Sequence, residues 1–264
     1  MGLATAQLAC SEVPRVSNFH LATVAASPEH GLLFLAQPGF GTVDALRVIS
    51  DGSPSQAPQF FRRMAQSERS HVLRLSVDRR GSRLWIVDFR MVQAYELPSL
   101  KEVRRYVLPA NLYHERFVDL VLDSFGNAFV LSRGGARVHR IDALTLEMET
   151  WADLGDRAAD AALLLANRAL ITPDDRFLLI ASPTGRGLLS MDLESRRVTA
   201  VKGVGADFSC GLLFWDDQAA IQAFDCTGQW EARIELTPDR KKGTAVVHGE
   251  ERTTMSITRF TPNY

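Results

Sequence analysis

The chain has 264 residues, with 30 basic and 31 acidic side chains and a net charge of −1. That length can bury a full core in one domain. The balanced charge excludes a global pull toward nucleic acid or anionic membranes, and no run approaches the roughly 18 apolar residues of a membrane-spanning helix.

The first ten residues resemble the end of a secretory signal but lack a positive leading region, and their apolar stretch is too short. Cys10, Cys210 and Cys226 make no even disulfide framework, so a reducing, cytoplasmic compartment is expected. From residue 19 onward, short apolar strands alternate with turns. Residues 116–145 show the pattern best. A buried strand (117–122) leads into the turn Asp123-Ser124-Phe125-Gly126, and an apolar strand (127–131) leads into Ser132-Arg133-Gly134-Gly135. An alternating strand (136–142) and a fourth strand (146–151) complete one antiparallel sheet.

The first turn of that unit recurs. Its equivalents are Ser27-Pro28-Glu29-His30-Gly31, Asp78-Arg79-Arg80-Gly81, Thr172-Pro173-Asp174-Asp175 and Asp216-Asp217, spaced 44–51 residues apart. Four strands in a repeat of that length are the signature of a β-propeller blade. The expected fold is therefore an all-β propeller in a single domain. Blades begin near Phe19, Ser70, Arg116, Asn167 and Cys210, and residues 253–260 open an incomplete sixth blade of a six-bladed design, the alternative being a ring closed by five blades. Residues 1–18 read as a tail or closing strand, and the Ala- and Leu-rich residues 156–167 as a helical decoration between blades. Trp85, Trp151, Trp215 and Trp230 read as packing between blades.

Residues just before each innermost strand converge on one end of the central channel. That set includes His20, His71, His114, Glu115, Arg116, Asn167, Arg168 and Cys210, with Arg74 and Asp119 slightly deeper. A His beside an acid can move protons near neutral pH, which makes His71, His114 and Glu115 the catalytic candidates. Arg74, Asn167 and Arg168 would bind and orient substrate oxygens, with His20, Asp119 and Cys210 completing the lining. Arg74 and Asp119 stand on adjacent blades, where they can equally form a structural ion pair inside the channel. Arg240-Lys241-Lys242 reads as a solvated loop. The sequence holds no glycine-rich phosphate loop, zinc spacing or serine elbow.

Three stretches carry a resemblance. They are residues 75–88 (Leu75-Ser76-Val77-Asp78 through Leu84-Trp85-Ile86-Val87-Asp88), residues 118–127 (Val118-Asp119-Leu120-Val121-Leu122-Asp123-Ser124-Phe125-Gly126-Asn127) and residues 167–175 (Asn167-Arg168-Ala169-Leu170-Ile171-Thr172-Pro173-Asp174-Asp175). With them the chain resembles the senescence-marker-protein, gluconolactonase and luciferin-regenerating-enzyme family of six-bladed propellers, and the related yellow and major royal jelly proteins. That resemblance implies a divalent cation at the top of the channel, held by a Glu, Asn and Asp set. Its positions fall here on Ala22, Val118, Asn167 and Cys210, so only Asn167 matches. The expectation is a metal-independent enzyme that hydrolyses, isomerises or cyclises a metabolite at the channel mouth, without nucleic-acid or membrane partners. A non-catalytic ligand- or protein-binding propeller and a divalent-metal lactonase using Asn167 are the alternatives.

Overall fold

The computed structural model describes residues 23–37, 41–48, 59–65, 72–78, 80–112, 114–153, 168–182, 187–201, 212–215, 221–224, 230–236 and 243–247. These residues form five four-stranded antiparallel sheets. Blade 1 holds β1 (Thr23–Ser27), β2 (Leu32–Gln37), β3 (Thr42–Arg47) and β4 (Gln59–Ala65). Blade 2 holds β5 (Arg74–Val77), β6 (Arg83–Val87), β7 (Met91–Glu96) and β8 (Lys101–Val107). Blade 3 holds β9 (Arg116–Leu122), β10 (Ala128–Arg133), β11 (Arg137–Ile141) and β12 (Met148–Asp153). Blade 4 holds β13 (Arg168–Ile171), β14 (Phe177–Ser182), β15 (Gly187–Asp192) and β16 (Val198–Ala200). Blade 5 holds β17 (Leu212–Trp215), β18 (Ile221–Phe224), β19 (Trp230–Leu236) and β20 (Gly243–Val247).

Each sheet is a meander in chain order, and the first strands β1, β5, β9, β13 and β17 pack side by side in that order. Sequential meanders joined through their innermost strands make a β-propeller, the fold that the repeat spacing implies. The one helical element among the described residues is a 3-10 turn at Pro28–His30. Among these residues no helix is long and apolar enough to cross a membrane.

The recurring first turn closes the inner hairpin of blades 1 to 4. In blades 2, 3 and 4 a short polar side chain bonds the backbone of its own turn, which suits Asp and Thr, whereas Ser27 donates to the Glu29 carboxylate at 3.4 Å. Asp78 accepts from the Ser82 main chain at 2.7 Å and from the Ser82 hydroxyl at 2.7 Å. Asp123 accepts from the main chains of Phe125 at 3.0 Å and Asn127 at 2.8 Å. In blade 4 the Thr172 hydroxyl bonds the Asp174 carboxylate and accepts from the Phe177 main chain at 3.0 Å.

The cores lie between blades, because inner strands such as β6, β9 and β10 are buried at successive positions and so on both faces. Between blades 2 and 3, Trp85, Val87, Tyr106 and Leu108 meet Phe117, Leu120, Val130 and Ile141. Between blades 3 and 4, Val118, Phe129, Leu131 and Val138 meet Ala169, Leu178, Ile180 and Met191. Trp85 is fully buried in the first of these cores, with its indole Nε1 without a hydrogen-bond partner among the described residues. Trp151 lies partly buried against the second of these cores, edge-on to Phe129 and under the Arg196 guanidinium at 3.8 Å.

Strand boundaries move by one or two residues from the sequence reading. The larger change is at Ser132, read as a turn residue but lying inside β10, so that the turn is Gly134-Gly135-Ala136. The expected helical stretch 156–167, the turn at Asp216-Asp217 and the incipient strand at 253–260 lie outside the described residues.

Candidate functional site

Counting back four residues from the turn marker gives equivalent positions on four innermost strands: Thr23, Arg74, Asp119 and Arg168. The first three each tie their strand to the next blade at this level. The Thr23 hydroxyl donates to the Leu73 carbonyl at 3.4 Å. Arg74 Nε lies 3.6 Å from Asp119 Oδ1. Asp119 Oδ2 accepts from the Ala169 main chain at 2.8 Å, and Oδ1 from its neighbour Leu120 at 3.0 Å. The Asp119 side chain is 0% exposed, and Arg74 is 27% exposed. Asp119 thus touches blades 2 and 4 from blade 3, and its charge is balanced by one guanidinium and two main-chain amides. Arg168, the first residue of β13, is half-buried.

The connection from β8 to β9 brings His114, Glu115 and Arg116 to the same end. Arg90 holds it. Its guanidinium donates to four carbonyls: Leu108 at 2.8 Å, Pro109 at 2.8 Å, Leu112 at 3.0 Å and Glu115 at 3.2 Å. Nothing in the repeat pattern distinguishes Arg90 from a surface cation, and its role shows only in the fold. His114 and Arg116 are exposed, and the Arg116 guanidinium stands 5.5 Å above the Phe89 ring.

Glu115 is 3% exposed, and its carboxylate turns into blade 3. Ser132 donates to Oε1 at 2.7 Å, and Arg137 Nη1 donates to Oε2 at 3.0 Å. His139 Nε2 lies 3.5 Å from Oε1, beyond a well-formed hydrogen bond, and has no hydrogen-bond partner among the described residues. Burial pushes the His139 pKa below the usual imidazole range, although Glu115 pulls the other way. Arg137 is raised chiefly by its hydrogen bond to Asp153, with Glu115 contributing. Ser132, Arg137 and His139 were not legible as a site, because alternation in β10 and β11 reads the same for a core face and a buried polar cluster.

The structure therefore brings Arg74 and Asp119 together, puts Arg168 at the equivalent place on the next blade, and leaves His114 exposed at the rim. It commits Glu115 to an internal network. His20, His71, Asn167 and Cys210 lie outside the described residues. Of the four positions implied by the family resemblance for a divalent cation, only Val118 lies among the described residues. Val118 is packed in the apolar core between blades 3 and 4, and neighbouring Asp119 is occupied by Arg74 and two amides. Hard cations need converging oxygens, and among the described residues no three His, Cys, Asp or Glu side chains gather as a ligand set.

No protein-family model matches the sequence, and no curated protein matches it. Solved structures match its fold. A catalytically inactive virginiamycin B lyase from Staphylococcus aureus, with quinupristin, aligns with a TM-score of 0.64 at 12% identity, covering 86% of this chain and 69% of that one. A protein from Lactobacillus plantarum aligns with a TM-score of 0.62 at 15% identity, covering 84% and 69%. The Cps50 (Swd1) β-propeller domain from Myceliophteria thermophila aligns with a TM-score of 0.57 at 12% identity, covering 84% and 67%. At these identities the likeness concerns the fold, and the fold is a β-propeller.

Proposed function

We propose that this chain is a small-molecule enzyme whose site is the mouth of the central channel, where Arg74 and Arg168 orient an oxygen-rich metabolite and His114 moves a proton. The observation that carries this reading is the polar ring itself. Four equivalent innermost positions hold Thr23, Arg74, Asp119 and Arg168, and so bring polar groups to one level of the inner strands. Convergent polar groups at one end of a propeller are what a small-molecule site requires. The reaction class is hydrolysis, isomerisation or cyclisation without a metal. Glu115 is assigned to holding the loop that carries His114, since both its oxygens are engaged. Kinship with the gluconolactonase-like family belongs to the same proposal, with the metal site replaced by this ring. Similar propellers span both roles: one is named a lyase and another is the Swd1 propeller domain.

A second reading, a binding propeller without chemistry, is favoured by the commitment of Glu115, which leaves His114 as the exposed acid–base group at this end among the described residues. A metabolite screen by thermal shift, followed by turnover assays on each hit, separates the two. Turnover lost in His114→Ala with binding retained supports the enzyme. Binding without turnover in the wild type supports the binder, and no binding at all would sink both. A loss of turnover in Asn167→Ala that a divalent cation restores would revive the metal lactonase.

A further inference from the structure

Resting on the channel mouth as the binding site, we infer that its ligand carries an oxyanion, a carboxylate or phosphate, that is received by Arg74, and that Asp119 is the residue positioning Arg74 for it. The charges at the four equivalent positions are unequal. Arg74 and Arg168 hold two of them, and Asp119 is the one acid among them. Glu115 does not offset them, because it is buried and paired with Arg137. An excess of one sign of charge attracts ligands of the other sign.

Asp119 itself is unavailable to a ligand. It is fully buried, Oδ1 accepts from Leu120 and Oδ2 from Ala169. Its closest approach to Arg74 is an ion pair through Nε at 3.6 Å, longer than a hydrogen bond, that faces one edge of the guanidinium. A guanidinium carries five N–H donors in a rigid planar fork, so donors beyond Nε remain for a second oxyanion. Arg74 keeps 27% of its side chain exposed, whereas its carboxylate partner has none. Two acceptors on one fork are the arrangement that fixes an arginine for bidentate recognition. An ion pair serving only to seal the channel would bury both partners.

The test is calorimetric titration of the full chain with inorganic phosphate and with succinate, at low and high salt. The proteins are wild type, Arg74→Met, Asp119→Asn, the double variant and, as an outer-strand control, Arg105→Met. At least one oxyanion should bind, more weakly at high salt. Affinity should fall about tenfold or more in Arg74→Met, fall less in Asp119→Asn, and stay unchanged in Arg105→Met. In the Arg74→Met background, Asp119→Asn should add no further loss. Such non-additivity marks positioning, since a merely structural role for Asp119 would weaken both backgrounds alike. Oxyanion binding that Arg74→Met leaves intact overturns the inference. So does the absence of oxyanion binding when a neutral metabolite binds and is weakened by Arg168→Met, and that outcome leaves the channel-mouth reading standing. If no compound of any charge binds, the reading and the inference fall together.

Discussion

The Glu115 carboxylate occupies the space that a side chain at Gly135 would need. A Cβ built at Gly135 stands 2.8 Å from both Cδ and Oε1 of Glu115, and one at Gly134 stands 2.1 Å from the His114 carbonyl oxygen. The β10–β11 turn is therefore seated directly on the loop before β9. Gly134 also has φ +88°, a conformation costly for other residues. Gly135→Ala should push Glu115 off Ser132 and Arg137. The expected cost is about 1–3 kcal/mol, from overpacking and strained hydrogen bonds. Urea unfolding would measure it, and an unchanged midpoint would mean that Glu115 can relocate freely.

Asp119 and Arg74 should differ sharply in their weight on stability. Removing Asp119 leaves the Leu120 and Ala169 amides without their acceptor inside the fold. Asp119→Ala should cost about 2–4 kcal/mol, since each buried donor left unsatisfied costs about 1–3 kcal/mol. Arg74→Ala leaves the carboxylate with both amides, and the lost partner was partly solvated, so its cost should be smaller. Equilibrium unfolding of the two variants tests the order. An Arg74→Ala protein less stable than Asp119→Ala would show that the ion pair, not the amide bonds, carries the site.

The turn markers were legible because a turn-closing side chain must be short and polar, and Asp78, Asp123 and Thr172 close their turns that way, with Ser27 at the same spacing bonding the Glu29 carboxylate. The outer hairpins repeat equally well, yet their pattern is weaker in sequence. Leu100, Leu146 and Arg196 all take φ between 54° and 58°, and each main-chain N–H bonds the carbonyl four residues back. Left-handed backbone usually announces itself through Gly or Asn, and here Leu and Arg conceal it. Of the candidate site, the Arg74–Asp119 pair was legible from adjacent-blade positions. Glu115 was legible as a residue near the mouth but not as a buried one, because exposure depends on Ser132 and Arg137 from strands that close over it.

His139 sets a pH dependence whose sign follows from its burial. Its folded pKa lies below the ordinary value of about 6.5, so below that pH the unfolded chain binds the extra proton first. Stability is full above about pH 6.5 and falls as pH drops toward the folded pKa, at up to about 1.4 kcal/mol per pH unit. The charged groups around it are Glu115, Arg137 and Asp153, all acting through the same buried cluster. His139→Leu should flatten the urea midpoint between about pH 6.5 and about pH 5.5. The carboxylates of Glu102, Asp142 and Asp192, held low by their hydrogen bonds, act in the same direction but at more acid pH. A slope between pH 6.5 and 5.5 that survives His139→Leu would assign it elsewhere.

Arg90 should govern the order of the channel mouth without touching any ligand. Its four carbonyl acceptors all belong to the β8–β9 connection, and two of them, Leu112 and Glu115, flank His114. An ammonium offers three donors from one point, so Arg90→Lys cannot span carbonyls that the planar fork reaches together. Hydrogen exchange should accelerate at the Leu112, Glu115 and Phe117 amides, which bond Pro109, Leu112 and Phe89 respectively. The β11–β12 pairing should be untouched, because none of its bonds runs through that loop. Arg90→Ala should go further, at about 2–4 kcal/mol for several lost bonds to a charged donor. Because the loop carries His114, turnover at the mouth should fall with loop protection while Arg74-dependent oxyanion binding is largely kept. Loss of both together would mean that the loop and the ring form one cooperative unit.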